Sequence, residues 1–319
     1  MNNQSRETWV DWAKALSIFF VVVGHIGWDF LHPFVYAFHV PAFFVISGYL
    51  YKKANWVNTL LSFTIPVLFF SLFWFFVSLI RTHFNFQETW ASNTWFVYKL
   101  DNNRPIFTGL WFLEVLFVGR LLLGDAGFDF VRKHYKLFTL IALLFSMLLE
   151  AFSISFDWYV TRIIQCFPFL GLGLYLKETN LIGKNLKTKG AMMLVACGVV
   201  TFIVLMYINQ WCDIMYNRYN RSYLLFFINA VIGTLLLVYI CQFLKRMLVV
   251  EVISIGTLVV LGTHTQIANI FASVIHVFIN NKVLDGALLP ILSMIVSYMI
   301  IIVCKKYCPL LLGKIKKIK

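Results

Sequence analysis

From Trp9 to Cys304 the chain is a succession of apolar stretches, each close to the length that crosses a bilayer, separated by short polar connections. Backbone amides in hydrocarbon must be satisfied within the segment, so such stretches fold as helices. Windows of about 19 residues place spans near 9–28, 35–50, 59–80, 108–122, 137–154, 160–176, 190–209, 222–243, 256–279 and 287–304. Composition excludes a soluble alternative. Of 319 residues, 61% are hydrophobic and 13% charged, whereas a soluble domain has roughly 45–50% and 25%. At about 20 residues per span, the expected fold is all-α: a polytopic membrane helix bundle of about ten transmembrane helices. It reads as one domain over 1–319, without a soluble domain.

Positive charge sets the orientation, because Lys and Arg are retained on the cytoplasmic side. With the N-terminus inside, 19 of the 27 basic residues fall in cytoplasmic segments, among them Lys52 and Lys53, Lys245 and Arg246, and six from Lys305 onward. Seven fall outside, from Arg81 to Lys282, and Lys14 lies within the first span. Both termini are therefore expected in the cytoplasm. The net charge of +13 then reports topology and attraction to lipid headgroups, and implies no nucleic-acid partner. The polar start, Met1 to Glu7, leads into a stretch that holds Lys14 and lacks a small-residue cleavage site, which describes a retained first span. The six cysteines are scattered through apolar stretches, and neither a disulfide framework nor a metal site is expected.

Ionisable groups inside hydrocarbon cost at least about 2.5–3.5 kcal/mol each, so those that persist are functional candidates. Asp11, Lys14 and His25 lie within roughly 60° of one stripe of the first helix, Lys14 and His25 about 16 Å apart along its axis. They cannot touch. Asp29, one turn beyond His25 at i+4, faces the same way and is placed to orient it. His39, Glu114, Glu150 and Arg162 fall in the outer halves of their spans, and His264 near the middle of the ninth. Such groups at overlapping depths point to a shared cavity. Plainer readings stand beside this one: an interhelical hydrogen-bonding role for a membrane histidine, a Glu150–Arg162 structural pair, and an Asp11–Lys14 salt bridge with Lys14 reaching the headgroups.

The outer segment 81–107 contains His83, Phe84, Phe86, Trp90, Trp95, Phe96 and Tyr98 beside Asn93, Asn102, Asn103 and Arg104. It reads as an interfacial aromatic belt, with stacking on sugar rings as the alternative. Lys177, Lys184, Lys187 and Lys189 mark the cytoplasmic side or attract the phosphates of a cofactor.

Asp11-Trp12-Ala13-Lys14, ten residues, Gly24-His25, and then the run from Phe38-His39-Val40-Pro41 to Ser47-Gly48-Tyr49-Leu50 resemble the acyltransferase 3 family of multi-spanning membrane acyltransferases, and most of all its fucose 4-O-acetylase-like branch. Leu110-Trp111-Phe112-Leu113 and Ile255-Gly256-Thr257-Leu258, leading to His264, fit as well. The resemblance implies an O-acyltransferase that moves an acyl group, usually acetyl, from cytoplasmic acetyl-CoA to a hydroxyl of a cell-surface glycan or its lipid-linked precursor, in the bacterial cytoplasmic (inner) membrane. The family's required histidine matches His25. Its basic residue eleven positions earlier, usually Arg, is Lys14 here, which keeps the charge and loses the bidentate fork. Where many members carry Arg-x-x-Arg after the second span, this chain has Lys52 and Lys53. In members with an esterase-like domain a Glu follows the fourth-span Trp by five positions. That place is Leu116, and Glu114 stands three after Trp111.

The combined expectation assigns catalysis to His25, with Asp11, Lys14 and Glu114, the donor to Lys14, Lys52 and Lys53, and the acceptor to His39, Asp29, Trp111 and His264. His25 acts either as general base or by carrying the acyl group itself. The alternative from another class is a glycan exporter using the same polar cavity.

Overall fold

The computed structural model describes residues 7–92, 111–156, 160–182, 189–277 and 281–314. Within them the chain is helical: α1 (Thr8–Ile26), α2 (His32–Tyr36), α3 (His39–Tyr49), α4 (Trp56–Arg81), α5 (Phe86–Ser92), α6 (Trp111–Arg120), α7 (Asp129–Lys133), α8 (Tyr135–Ala151), α9 (Val160–Glu178), α10 (Lys189–Asn209), α11 (Tyr223–Cys241), α12 (Leu248–Ile255), α13 (Thr257–Ile275) and α14 (Lys282–Tyr307). Among the described residues there is no strand beyond one isolated antiparallel pairing, Asp213 with Arg218. The expected aromatic residues Trp95, Phe96 and Tyr98, the polar Asn93, Asn102, Asn103 and Arg104, and Lys184 and Lys187 lie outside the described residues.

Among the described residues, seven stretches are long and apolar enough to cross a bilayer: Thr8–Ile26, Asp29–Tyr49, Trp56–Arg81, Met192–Asn209, Tyr223–Cys241, Thr257–Ile275 and Lys282–Tyr307. The other three expected spans coincide with α6, α8 and α9. The described part of α6 runs for 10 residues before a π-helical turn at Leu121–Asp125, α8 has 17 residues, and α9 carries Arg162, Gln165 and Pro168 within its 19. The expected span 35–50 is broken: Phe38 leaves helical geometry (φ −148°, ψ −14°) between α2 and α3. The expected ninth span begins where α13 does, and Gly256 separates it from the short apolar helix α12 before it.

The bundle is built around α1, which packs against α3, α11, α12, α13 and α14. Ile18 and Val22 meet Val260 and Ile301 on one side of it, while Ala13 joins Ala42, Phe38 and Phe202 on another. A second core of Phe44, Phe169, Tyr223 and Phe226 holds α3, α9 and α11 together. Hydrophobic driving force is weak between helices in lipid, so close backbone approach matters instead. It is greatest between α3 and α9. A Cβ at Gly48 would come within 2.1 Å of Leu170 O, and one at Gly173 within 2.0 Å of Val45 O.

Polar contacts align the two ends of the bundle. Asp11, near the start of α1, accepts from Ser254 Oγ at 2.6 Å, and Trp12 Nε1 donates to Lys245 O at 2.8 Å. Gly256 lies against Ile301, late in α14. The start of α1 and the end of α14 thus share one end of the bundle. His25, fourteen residues beyond Asp11 and so roughly 21 Å along the axis, belongs to the other, where Trp28 Nε1 donates to Val283 O at the start of α14.

Candidate active site

His25 is the last polar residue of α1, and it meets α13. Its Nδ1 lies 2.9 Å from His264 Nε2, with the two rings 5.0 Å apart. His264 is buried, and its Nδ1 faces the carbonyl oxygens of Val260 and Leu261 at 2.9 and 3.0 Å. Carbonyls only accept, so His264 Nδ1 carries a hydrogen, and in the neutral ring its Nε2 is an acceptor. His25 Nδ1 must then donate to it. The lone pair of His25 is left on Nε2, and the tautomers of both rings follow from two backbone carbonyls.

His39 shows the same device on a smaller scale. Its Nδ1 sits 2.6 Å from Val35 O, which leaves Nε2 as the acceptor, and its ring stands edge-on to Tyr36 at 5.1 Å. His25, Tyr36, His39 and Trp111 line a common cavity of about 270 Å³ together with Val40, Thr265 and the segment Asp213–Tyr216.

That last segment belongs to the α10–α11 connection, which folds back over the cavity. Asp213 and Arg218 exchange backbone hydrogen bonds at 2.8 and 2.9 Å. On α9, Arg162 Nε donates to Met215 O at 2.9 Å, and Gln165 bonds both Asn217 and Tyr219. Arg162 therefore anchors a loop, a role different from the Glu150 pairing that its position suggests. Asp213 is 6% exposed and its Oδ1 accepts from Met215 N at 2.9 Å. Burial pushes its carboxyl above the usual carboxylate range, opposed by the Met215 and Tyr216 amides and by the charges of Arg218 and Arg162.

The expected residues divide between the two ends. His25, His39, Trp111 and His264 converge, the first three on the cavity and His264 behind His25. Asp29 does not join them. α1 stops at Ile26 and Gly27 is extended (φ −85°, ψ −161°), so the i+4 relation to His25 is lost; the Asp29 side chain is 98% exposed and lies 3.8 Å from His32 Nε2. Glu114 is half-buried one turn beyond Trp111 and is not among the residues that line the cavity. Asp11 and Lys14 belong to the opposite end, Asp11 bonded to Ser254 and Lys14 half-buried.

At that opposite end a second cavity, of about 870 Å³, is lined by Lys53, Asn55, Asn58, Thr59, Ser62, Arg120 and Asp125, among others. Asp125 organises its wall. It accepts from Tyr51 OH, Ala54 N, Thr59 Oγ1 and Arg120 Nε at 2.8–3.2 Å. Lys53 pairs with Asp129 at 2.6 Å, while Lys52 presents its carbonyl to Arg120 Nη2 at 3.3 Å. Arg120, Asp125 and Asp213 are absent from the sequence-based expectation, because each sits in or beside a connection where charge is ordinary. No spacing marks them.

No curated protein and no solved structure matches the chain. The acyltransferase-domain model of the acyltransferase 3 family does match, over residues 7–305. A bundle of membrane-length helices with a histidine pair at a polar cavity, covered almost end to end by that model, makes this chain a member of the acyltransferase 3 family and a multi-pass membrane acyltransferase.

Proposed function

We propose that the protein transfers an acetyl group from cytoplasmic acetyl-CoA to a hydroxyl of a cell-surface glycan or its lipid-linked precursor, with His25 as the catalytic histidine, in the bacterial cytoplasmic membrane. The observation that carries this reading is the bonded chain from two backbone carbonyls through His264 to His25, at the wall of a cavity. In this reading ten spans leave both chain ends in the cytoplasm, and the single domain 1–319 holds the donor's nucleotide at one end and the acceptor at the other, with the pantetheine arm threading inward so that the thioester reaches His25.

His25 Nε2 takes the proton of the acceptor hydroxyl as that oxygen attacks the acyl carbonyl. The ring keeps its orientation because Nδ1–H stays bonded to His264, whose own hydrogen is fixed by the helix backbone. The thioester supplies an activated acyl group and a thiolate leaving group, to which the proton on His25 passes. If His25 accepts the acyl group itself, the same Nε2 lone pair is used. His39 Nε2 and Trp111 border the acceptor.

Toward the donor, the larger cavity suits the phosphates of a nucleotide: Lys53, Arg120 and the polar side chains of Asn55, Asn58, Thr59 and Ser62 all face it. The Lys53–Asp129 pair is largely exposed. Such pairs contribute about 0–1 kcal/mol, so a phosphate can displace the aspartate. Lys14 and Lys52 add positive charge near this end.

Acetyl-CoA should therefore raise the thermal midpoint of the purified protein, since a ligand bound only to the native state stabilises it. Lys53→Glu should weaken that protection by about tenfold in the concentration required. No response of the wild-type protein at millimolar acetyl-CoA contradicts the donor assignment and favours the exporter.

A further inference from the structure

The cavity at His25 is rich in groups that accept hydrogen bonds. Beside the hydroxyls of Tyr36, Tyr216 and Thr265, which donate as well as accept, three groups offer acceptors alone: Nε2 of His25, Nε2 of His39 and the Asp213 carboxylate, the last carried by the loop between α10 and α11. A simple alcohol carries one hydroxyl, and acylation uses it. A polyol carries several, and each that enters a poorly hydrated site needs an acceptor or costs its desolvation. Three acceptors walled by aromatic rings match a polyhydroxylated ring, whose C–H faces pack on aromatic surfaces while its hydroxyls point to the polar groups.

The loop is built to hold its carboxylate still. Asp213 and Arg218 close it by paired backbone bonds, α9 pins it through Arg162 and Gln165, and Asn209 Oδ1 accepts from the amides of Arg221 and Ser222 at 3.1 and 3.3 Å. Oδ1 of Asp213 is already engaged by Met215 N–H, and the Tyr216 amide also acts on the carboxylate. A carboxylate has about four lone-pair sites, so acceptor capacity is left on a residue that is 6% exposed and lines the cavity.

We propose that Asp213 is an acceptor-binding residue: on the wall of the cavity it shares with His25, its carboxylate accepts a hydrogen bond from a second hydroxyl of the sugar ring, one that is not acylated, and so selects which hydroxyl reaches His25. This rests on the transferase reading for its chemistry and extends it to the loop at 210–222, which becomes the specificity element.

The test uses the full-length protein in detergent, radiolabelled acetyl-CoA, and methyl hexopyranosides with their monodeoxy analogues. Asp213→Asn keeps the Oδ1 that Met215 N–H needs, so the loop is preserved, but it replaces an accepting oxygen with a donor. The wild type should penalise one deoxy analogue in kcat/KM. Asp213→Asn should raise the acceptor KM by about ten- to a hundredfold, show no further penalty for that analogue, and leave the KM for acetyl-CoA unchanged. An unchanged acceptor KM, or deoxy penalties that persist in the variant, overturns the proposal, as does a parallel rise in both KM values with loss of thermal stability. If the wild type labels none of the glycosides, the same sugars are tested for protection against heat. Protection of the wild type but not of Asp213→Asn upholds the sugar subsite and removes the transferase reading; protection of neither removes the subsite.

Discussion

The chemistry of the site rests on which nitrogen of each imidazole bears hydrogen. His264 can accept from His25 only because Val260 O and Leu261 O hold the hydrogen of its other nitrogen. His264→Phe keeps the volume of a buried ring and removes the acceptor, so His25 loses its orienting partner. The expected outcome is a fall in kcat of about 10²-fold or more with a near-normal acetyl-CoA KM, and His264→Gln, which restores an accepting oxygen, should recover part of it. Steady-state kinetics on both variants checks this. At this scale the sequence was informative where a polar group sat inside an apolar span, as with His25, His39 and His264, because burial there demands a partner. It misled at Asp29, since i+4 spacing has meaning only while the helix continues, and this one ends at Ile26. Asp213 was invisible because a charge in a connection signals nothing until the connection folds back.

Two helices carry the site's frame: α3 holds His39, and α9 anchors the loop that presents Asp213. Their separation is set by glycine. Gly173→Ala places a methyl group within 2.0 Å of Val45 O and 2.6 Å of Tyr49 N, both backbone atoms that cannot step aside. Forcing the helices apart should cost about 1–3 kcal/mol or more and lower activity with stability. Gly198→Ala on α10 is the control. Its Cβ would find Leu236 at 3.5 Å, an ordinary contact, and the better helix propensity of alanine should leave the thermal midpoint equal or higher. Thermal unfolding of the two variants separates close approach from a general intolerance of substitution. The helices themselves were legible as hydropathy. The start of α13 at Gly256 was legible too, as the start of the ninth span, whereas the break at Phe38 was not, because it interrupts an apolar stretch without altering its polarity.

At the scale of the whole molecule, the start of α1 and the end of α14 share an end, and the proposed topology, drawn from the bias of Lys and Arg, puts that end in the cytoplasm. Cys308 is exposed just beyond α14. In a Cys197→Ser background a membrane-impermeant maleimide should label it in inverted vesicles and leave it unlabelled in intact spheroplasts; the reverse pattern inverts the topology. Span pattern and charge bias were readable along the chain, whereas the pairing of α1 with α12 and α13 depends on packing between segments more than 200 residues apart and has no signature in hydropathy. The central claim, that His25 carries acyl transfer, is tested most directly with membranes holding wild type or His25→Ala at matched expression, radiolabelled acetyl-CoA, and the cell's lipid-linked and surface glycans. Label should enter glycan with the wild type and be absent with His25→Ala. Equal labelling by both would contradict the account.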